Sequence, residues 1–124
     1  DGRIFFVPDT AEEVLCLDPE SRALTKFGDV GIGSHKWSGG VLAGDGNIYC
    51  VPWSHPQVLR IDTKTHEISY LDTTEGGSAA ASMSDHKWRG AVLAQDGRIY
   101  CAAWNAEMVL CIDPTAGSAF CFGE

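Results

Sequence analysis

The sequence lacks any run of about 18 consecutive apolar residues, the length a helix needs to cross a bilayer, so no direct membrane span is expected. It lacks basic clusters: no run of Lys and Arg exceeds two residues, and 17 acidic against 9 basic residues leave a net charge of −8. Binding a phosphate backbone needs clustered cations, so nucleic acid is not an expected partner. Helix signals are nearly missing, with no capped segment carrying apolar residues at i, i+3, i+4 and i+7. The sequence contains no GxSxG, no HExxH, no phosphate loop and no CxxC. No cofactor and no metal are expected from such a set.

What is present is glycine, 14 residues in 124, with five prolines. Between them lie short apolar runs of period two, bounded by Gly, Asp, Asn and Pro. This pattern predicts an all-β fold.

The chain repeats itself. Asp1-Gly2, Asp45-Gly46 and Asp96-Gly97 fall in register, as do Val14, Val58 and Val109, at spacings of 44 and then 51 residues. The units run over residues 1–29, 36–72 and 87–124 of a single segment, 1–124. The second unit shows four strand-like runs: Ser38 to Gly44, Asn47 to Pro52, Val58 to Asp62 and Glu67 to Leu71. Asp45-Gly46 is expected to make a tight turn with both residues at positive φ. Four antiparallel strands per unit of this length is the size of a β-propeller blade.

Propellers close with four to eight blades. Here there are two full units and one that begins at the turn before its second strand. The expectation is therefore about three four-stranded blades, one lacking its first strand, giving 11 strands in an incomplete ring. An open arc leaves blade faces uncovered. Flanking sequence, additional copies or a protein partner would complete the ring.

The segments DGRIFFVPDTAEEVLCLDPES and DGNIYCVPWSHPQVLRIDTKTHEIS resemble the YVTN-type surface-layer propeller repeat. They are also similar to the blades of NHL propellers and regucalcin-like lactonases. The KWxGGVLA element is similar to repeats of uncharacterised algal proteins. These resemblances imply blade architecture and leave function open.

His35-Lys36-Trp37 recurs as His86-Lys87-Trp88. Repetition favours a blade-packing role with the indoles buried; the alternative is a ring of His and Trp at the channel mouth. Trp53 and Trp104 are equivalents, with Asp9 in the first unit, and they enter a loop sharing a face with the loop before each first strand. Loops at one end commonly carry propeller ligands. The candidate binding residues are thus Trp53, His55, Trp104, Asn105, His35 and His86, with no catalytic residue.

Five cysteines (Cys16, Cys50, Cys101, Cys111 and Cys121) are an odd number, and Phe6 stands where the repeat has Cys50. They read as buried free thiols of a reducing intracellular or organellar compartment. Asp18, Asp62 and Asp113 read as turn formers. The function expected is a non-catalytic module for protein binding or scaffolding, such as an accessory subunit of a larger assembly. The alternatives are a metal-dependent lactonase or hydrolase and a carbohydrate-binding propeller using Trp37, Trp53, Trp88 and Trp104.

Overall fold

The computed structural model describes residues 2–72, 87–104 and 108–123. Among these residues there is no helix, and there are 11 strands. The first sheet holds β1 (Ile4–Phe6), β2 (Glu13–Leu17) and β3 (Leu24–Asp29). The second holds β4 (Trp37–Leu42), β5 (Asn47–Pro52), β6 (Gln57–Asp62) and β7 (Ile68–Asp72). The third holds β8 (Trp88–Leu93), β9 (Ile99–Ala103), β10 (Val109–Asp113) and β11 (Ser118–Phe122). Each sheet is an antiparallel meander in chain order. The inner strands β4 and β8 lie side by side and the outer strands β7 and β11 more loosely, the radial layout of neighbouring blades.

The core lies between blades, because a blade strand buries both faces. In β5, Cys50 joins Val14, Trp37, Leu59 and Ile61 against the first blade. Tyr49 and Val51 point the other way, to Trp88, Ile99, Leu110 and Ile112 of the third. Period two thus assigns alternate residues to two different neighbours. Gly40 sits close against the first blade: a Cβ there would lie 3.0 Å from Val7 Cγ2, and 3.0 Å from Ile48 Cγ2 of its own blade.

The Asp-Gly turns differ from expectation. Gly46 and Gly97 take φ of +86° and +85°, but neither aspartate has positive φ. The Gly46 N–H donates to Ala43 O at 3.2 Å and the Ala43 N–H to Asn47 O at 3.0 Å, a three-residue loop with the glycine as its left-handed residue. The aspartate is free for another task. Asp45 Oδ1 accepts the Asn47 N–H at 2.9 Å, and Asp96 Oδ1 accepts the Arg98 N–H at 2.9 Å.

The second set of turns behaves as expected of Asp. Asp62 Oδ1 accepts from the Lys64 and Thr65 N–H groups at 2.8 and 3.1 Å, and Asp18 and Asp113 do the same in their blades. These backbone donors hold the Asp62 and Asp113 carboxyls below their ordinary pKa. Each turn ends on a left-handed residue: Arg22 at φ +63°, His66 at +63° and Gly117 at +69°. Only the glycine signals that conformation by its residue type.

All five cysteines are buried free thiols. Burial pushes the Cys50 and Cys101 thiols well up, so they act as apolar filler rather than as nucleophiles.

Candidate functional site

The indole of Trp37 is fully buried, and its Nε1–H donates to Gln57 O at 2.9 Å. Trp88 repeats this with Met108 O at 2.8 Å. The packing reading of the repeated element therefore holds for its tryptophans, and neither can serve as a sugar platform. Both lysines are buried as well, Lys36 at 4% exposure and Lys87 at 1%, which the sequence reading missed. Lys36 Nζ donates to Gly33 O at 2.9 Å and Thr10 O at 3.3 Å, so carbonyls replace its water.

The lysine backbones organise one end of the arc. The Lys36 N–H donates to Asp9 O at 2.8 Å, and the Trp53 N–H to Lys36 O at 2.9 Å. The Lys87 N–H then donates to Trp53 O at 2.8 Å, and the Trp104 N–H to Lys87 O at 2.8 Å. The ladder alternates between two repeat positions and ties three blades together at one rim. It fixes the backbones of Asp9, Trp53 and Trp104 at equivalent places.

On this rim the side chains of Trp53 and Trp104 come together, ring centroids 6.1 Å apart and tilted by 41°. Trp104 is 58% exposed and Trp53 half-buried. The guanidinium of Arg89 lies over both, 5.8 Å from the Trp53 ring and 5.2 Å from the Trp104 ring, within cation–π range. Arg89 sits at the β-bulge between Trp88 and Ala91, which redirects a side chain out of the strand's alternation. The equivalent bulge in the second blade carries Ser38, whose hydroxyl donates to Trp88 O at 3.2 Å. The repeat is thus broken at the rim by Arg89. The signal was available in the sequence: aligned on the Trp, KWSGG and KWRGA differ by one charge.

His55 lies tilted by 30° against Trp37 at 4.6 Å and stacks on Tyr70 at 5.7 Å, and its Nδ1 accepts the Gln57 N–H at 3.1 Å. Burial holds its pKa below the ordinary value, and the nearby Lys87 and Lys36 charges add to the effect. His35 is exposed, at φ +53°, with Nδ1 3.0 Å from Asp9 Oδ1. The structure thus gathers Trp53, Trp104, His55 and His35 at one end. His86 and Asn105 lie outside the described residues. Among the described residues, no three His, Cys, Asp or Glu side chains cluster closely enough to hold a metal ion. A polar cavity of about 240 Å³, lined by Asn47, Arg60, Asp62, Glu67, Ile68 and Ser69, opens elsewhere on the second blade. Its Arg60 is already engaged with Ser69 Oγ at 2.8 Å.

No family profile and no curated protein matches the sequence. Solved structures do. Virginiamycin B lyase from Staphylococcus aureus superposes with a TM-score of 0.76 at 16% identity, over 97% of this chain and 37% of that one. A streptogramin B lyase gives 0.74 at 15% identity, over all of this chain and 38% of that one. The extracellular domain of a one-component system from B. thetaiotaomicron gives 0.66 at 12% identity, over 99% and 17%. The chain spans little more than a third of the lyases' length. At such identities the likeness concerns architecture alone, and with the sheets described above it establishes that this chain folds as an arc of β-propeller blades.

Proposed function

We propose that this arc is a non-catalytic binding module whose contact surface is the rim bearing Trp53, Trp104 and Arg89. The observation that carries the reading is the Arg89 guanidinium lying over two solvent-reaching indoles on a backbone ladder. These groups bind rather than transform. A guanidinium does not give up its proton in a protein, and an indole is neither acid nor base. A rigid rim with a few large aromatic anchors and one arginine has the composition of binding hot spots. The scaffold or accessory-subunit role belongs to the same reading.

The ring is completed by further blades, from flanking sequence or other copies. Leu42 is 60% exposed on the inner strand facing the first blade, and Val92 is 68% exposed on that of the third. Apolar side chains on blade faces are the ones a neighbouring blade covers.

A ligand panel of neutral glycans, acidic glycans and acidic peptides tests the reading, followed by intrinsic fluorescence. Trp37 and Trp88 are buried, so a bound ligand should perturb mainly Trp53 and Trp104. The expected result is a spectral shift that disappears in the Trp53→Ala/Trp104→Ala variant while its melting temperature stays within a few degrees. Undiminished binding in that variant, or conversion of a bound ligand to a new product, would overturn the proposal.

A further inference from the structure

We infer that the rim recognises a carboxylated sugar ring, a uronate unit of an acidic glycan; this rests on the binding-module reading above. Three observations converge on that chemistry. First, Arg89 is exposed and has no hydrogen-bond acceptor among the described residues, although its planar fork carries five N–H donors. An indole ring accepts no conventional hydrogen bond, so the N–H edge of the guanidinium stays available. A carboxylate matches that edge with two parallel hydrogen bonds.

Second, cationic side chains gather at this end of an acidic chain. The net charge is −8, yet Arg89 shares this end with Lys36 and Lys87, whose charges reach His55. The Asp9 carboxylate here is engaged with His35. A local patch of opposite sign to the whole molecule selects the charge of what binds.

Third, the platform suits a single ring. Trp53 and Trp104 are 6.1 Å apart and tilted, too close for a second ring to slip between them, so a ligand must lie on the outer face of Trp104. A pyranose presents apolar C–H groups to such a face and hydroxyls to its surroundings. Trp104 is 58% exposed, so those hydroxyls stay in water. A protein side chain seated as an anchor needs instead a desolvated pocket ringed by apolar contacts. An acidic peptide is therefore the weaker fit.

Calorimetric titration of the full chain decides the matter with three probes: galacturonate oligomers, neutral galactose oligomers of equal length, and poly-glutamate. Galacturonate should bind at least about tenfold more tightly than galactose, the equivalent of about 1.4 kcal/mol. Arg89→Gln should bring galacturonate down to the galactose level. Arg89→Lys should recover only part of the loss, because an ammonium cannot make the bidentate pair. Equal binding of the acidic and neutral oligomers, or of poly-glutamate and galacturonate, would overturn the uronate inference and leave the binding rim standing. If Trp104→Ala weakens none of the ligands that bind, or if none of the three binds, the uronate inference falls too. Retained binding in Trp104→Ala in addition removes the rim.

Discussion

The second and third blades are built from the same repeat and live in different surroundings. Tyr49 and Tyr100 occupy the same repeat position, and each donates its hydroxyl to the turn aspartate, Asp45 at 2.7 Å and Asp96 at 2.9 Å. Tyr49 is fully buried because the third blade covers it, while Tyr100 is only half-buried. The phenol pKa rises in both, for different leading reasons: burial raises Tyr49, and the bond to Asp96 raises Tyr100. The strands tell the same story. β5 is buried along Tyr49 to Pro52, whereas β9 ends with exposed Ala102 and Ala103. Local sequence therefore sets the hydrogen bond, and the neighbouring blade sets what the bond is worth.

The largest test uses the indoles. Trp37 wedges between the first two blades and Trp88 between the second and third, both with no exposure. Replacing either with alanine should cost about 3–5 kcal/mol in denaturant unfolding, with a cavity left at a blade interface. A Trp88→Ala loss under about 1 kcal/mol would show that the third blade docks only weakly on the second.

Removing the phenol hydroxyls isolates the effect of burial. Tyr49→Phe should cost about 1.5 kcal/mol, since a charge-assisted bond at a buried site is lost. Tyr100→Phe should cost clearly less, because water replaces its hydroxyl at Asp96. Equal losses in thermal melts would refute the claim that the covering blade sets the difference.

Glycine gives the control, in which the blades should behave alike. Gly46 and Gly97 share the left-handed conformation, and a Cβ on either would meet nothing within 4 Å. Gly46→Ala and Gly97→Ala should each cost about 1 kcal/mol, from backbone strain alone. A large difference between them would mean that packing reaches the turns.

The smallest effect is a pH dependence confined to the second blade. Folding holds the His55 pKa below its ordinary 6.5, so the folded state favours the neutral ring. The unfolded chain takes up the proton first as pH falls, and that part of the stability is lost below about pH 6.5. The melting temperature should fall between about pH 7.5 and about pH 5.5, and His55→Phe should flatten the fall. The depressed carboxyls of Asp62, Asp96 and Asp113 lose their contribution only at lower pH. An unchanged slope in His55→Phe would assign the effect to another group.

Much of this molecule was legible in its sequence. The strands, their antiparallel order and the three-unit register follow from period-two runs between turn residues, because those signals act over a few neighbouring positions. The glycines at Gly46 and Gly97 and the side-chain bonds of Asp18, Asp62 and Asp113 are likewise local matters. The buried indoles of Trp37 and Trp88 followed from repetition itself, since each blade must pack on the next in the same way.

Tertiary structure decided the rest. Burial of Lys36 and Lys87 could not be read from a residue type that normally seeks water; it depends on carbonyls such as Gly33 O and Thr10 O brought around by the fold. The left-handed Arg22 and His66 were equally silent, because their turn geometry is imposed by the repeat rather than by the residue. Above all, the rim is non-local. Trp53, Arg89 and Trp104 come from two blades and meet only through the interblade backbone ladder and a bulge that turns Arg89 out of its strand. Sequence patterns specify which face of a strand is buried, but the distance between side chains on different blades is set by how the sheets stack, and that is decided by packing of the whole arc.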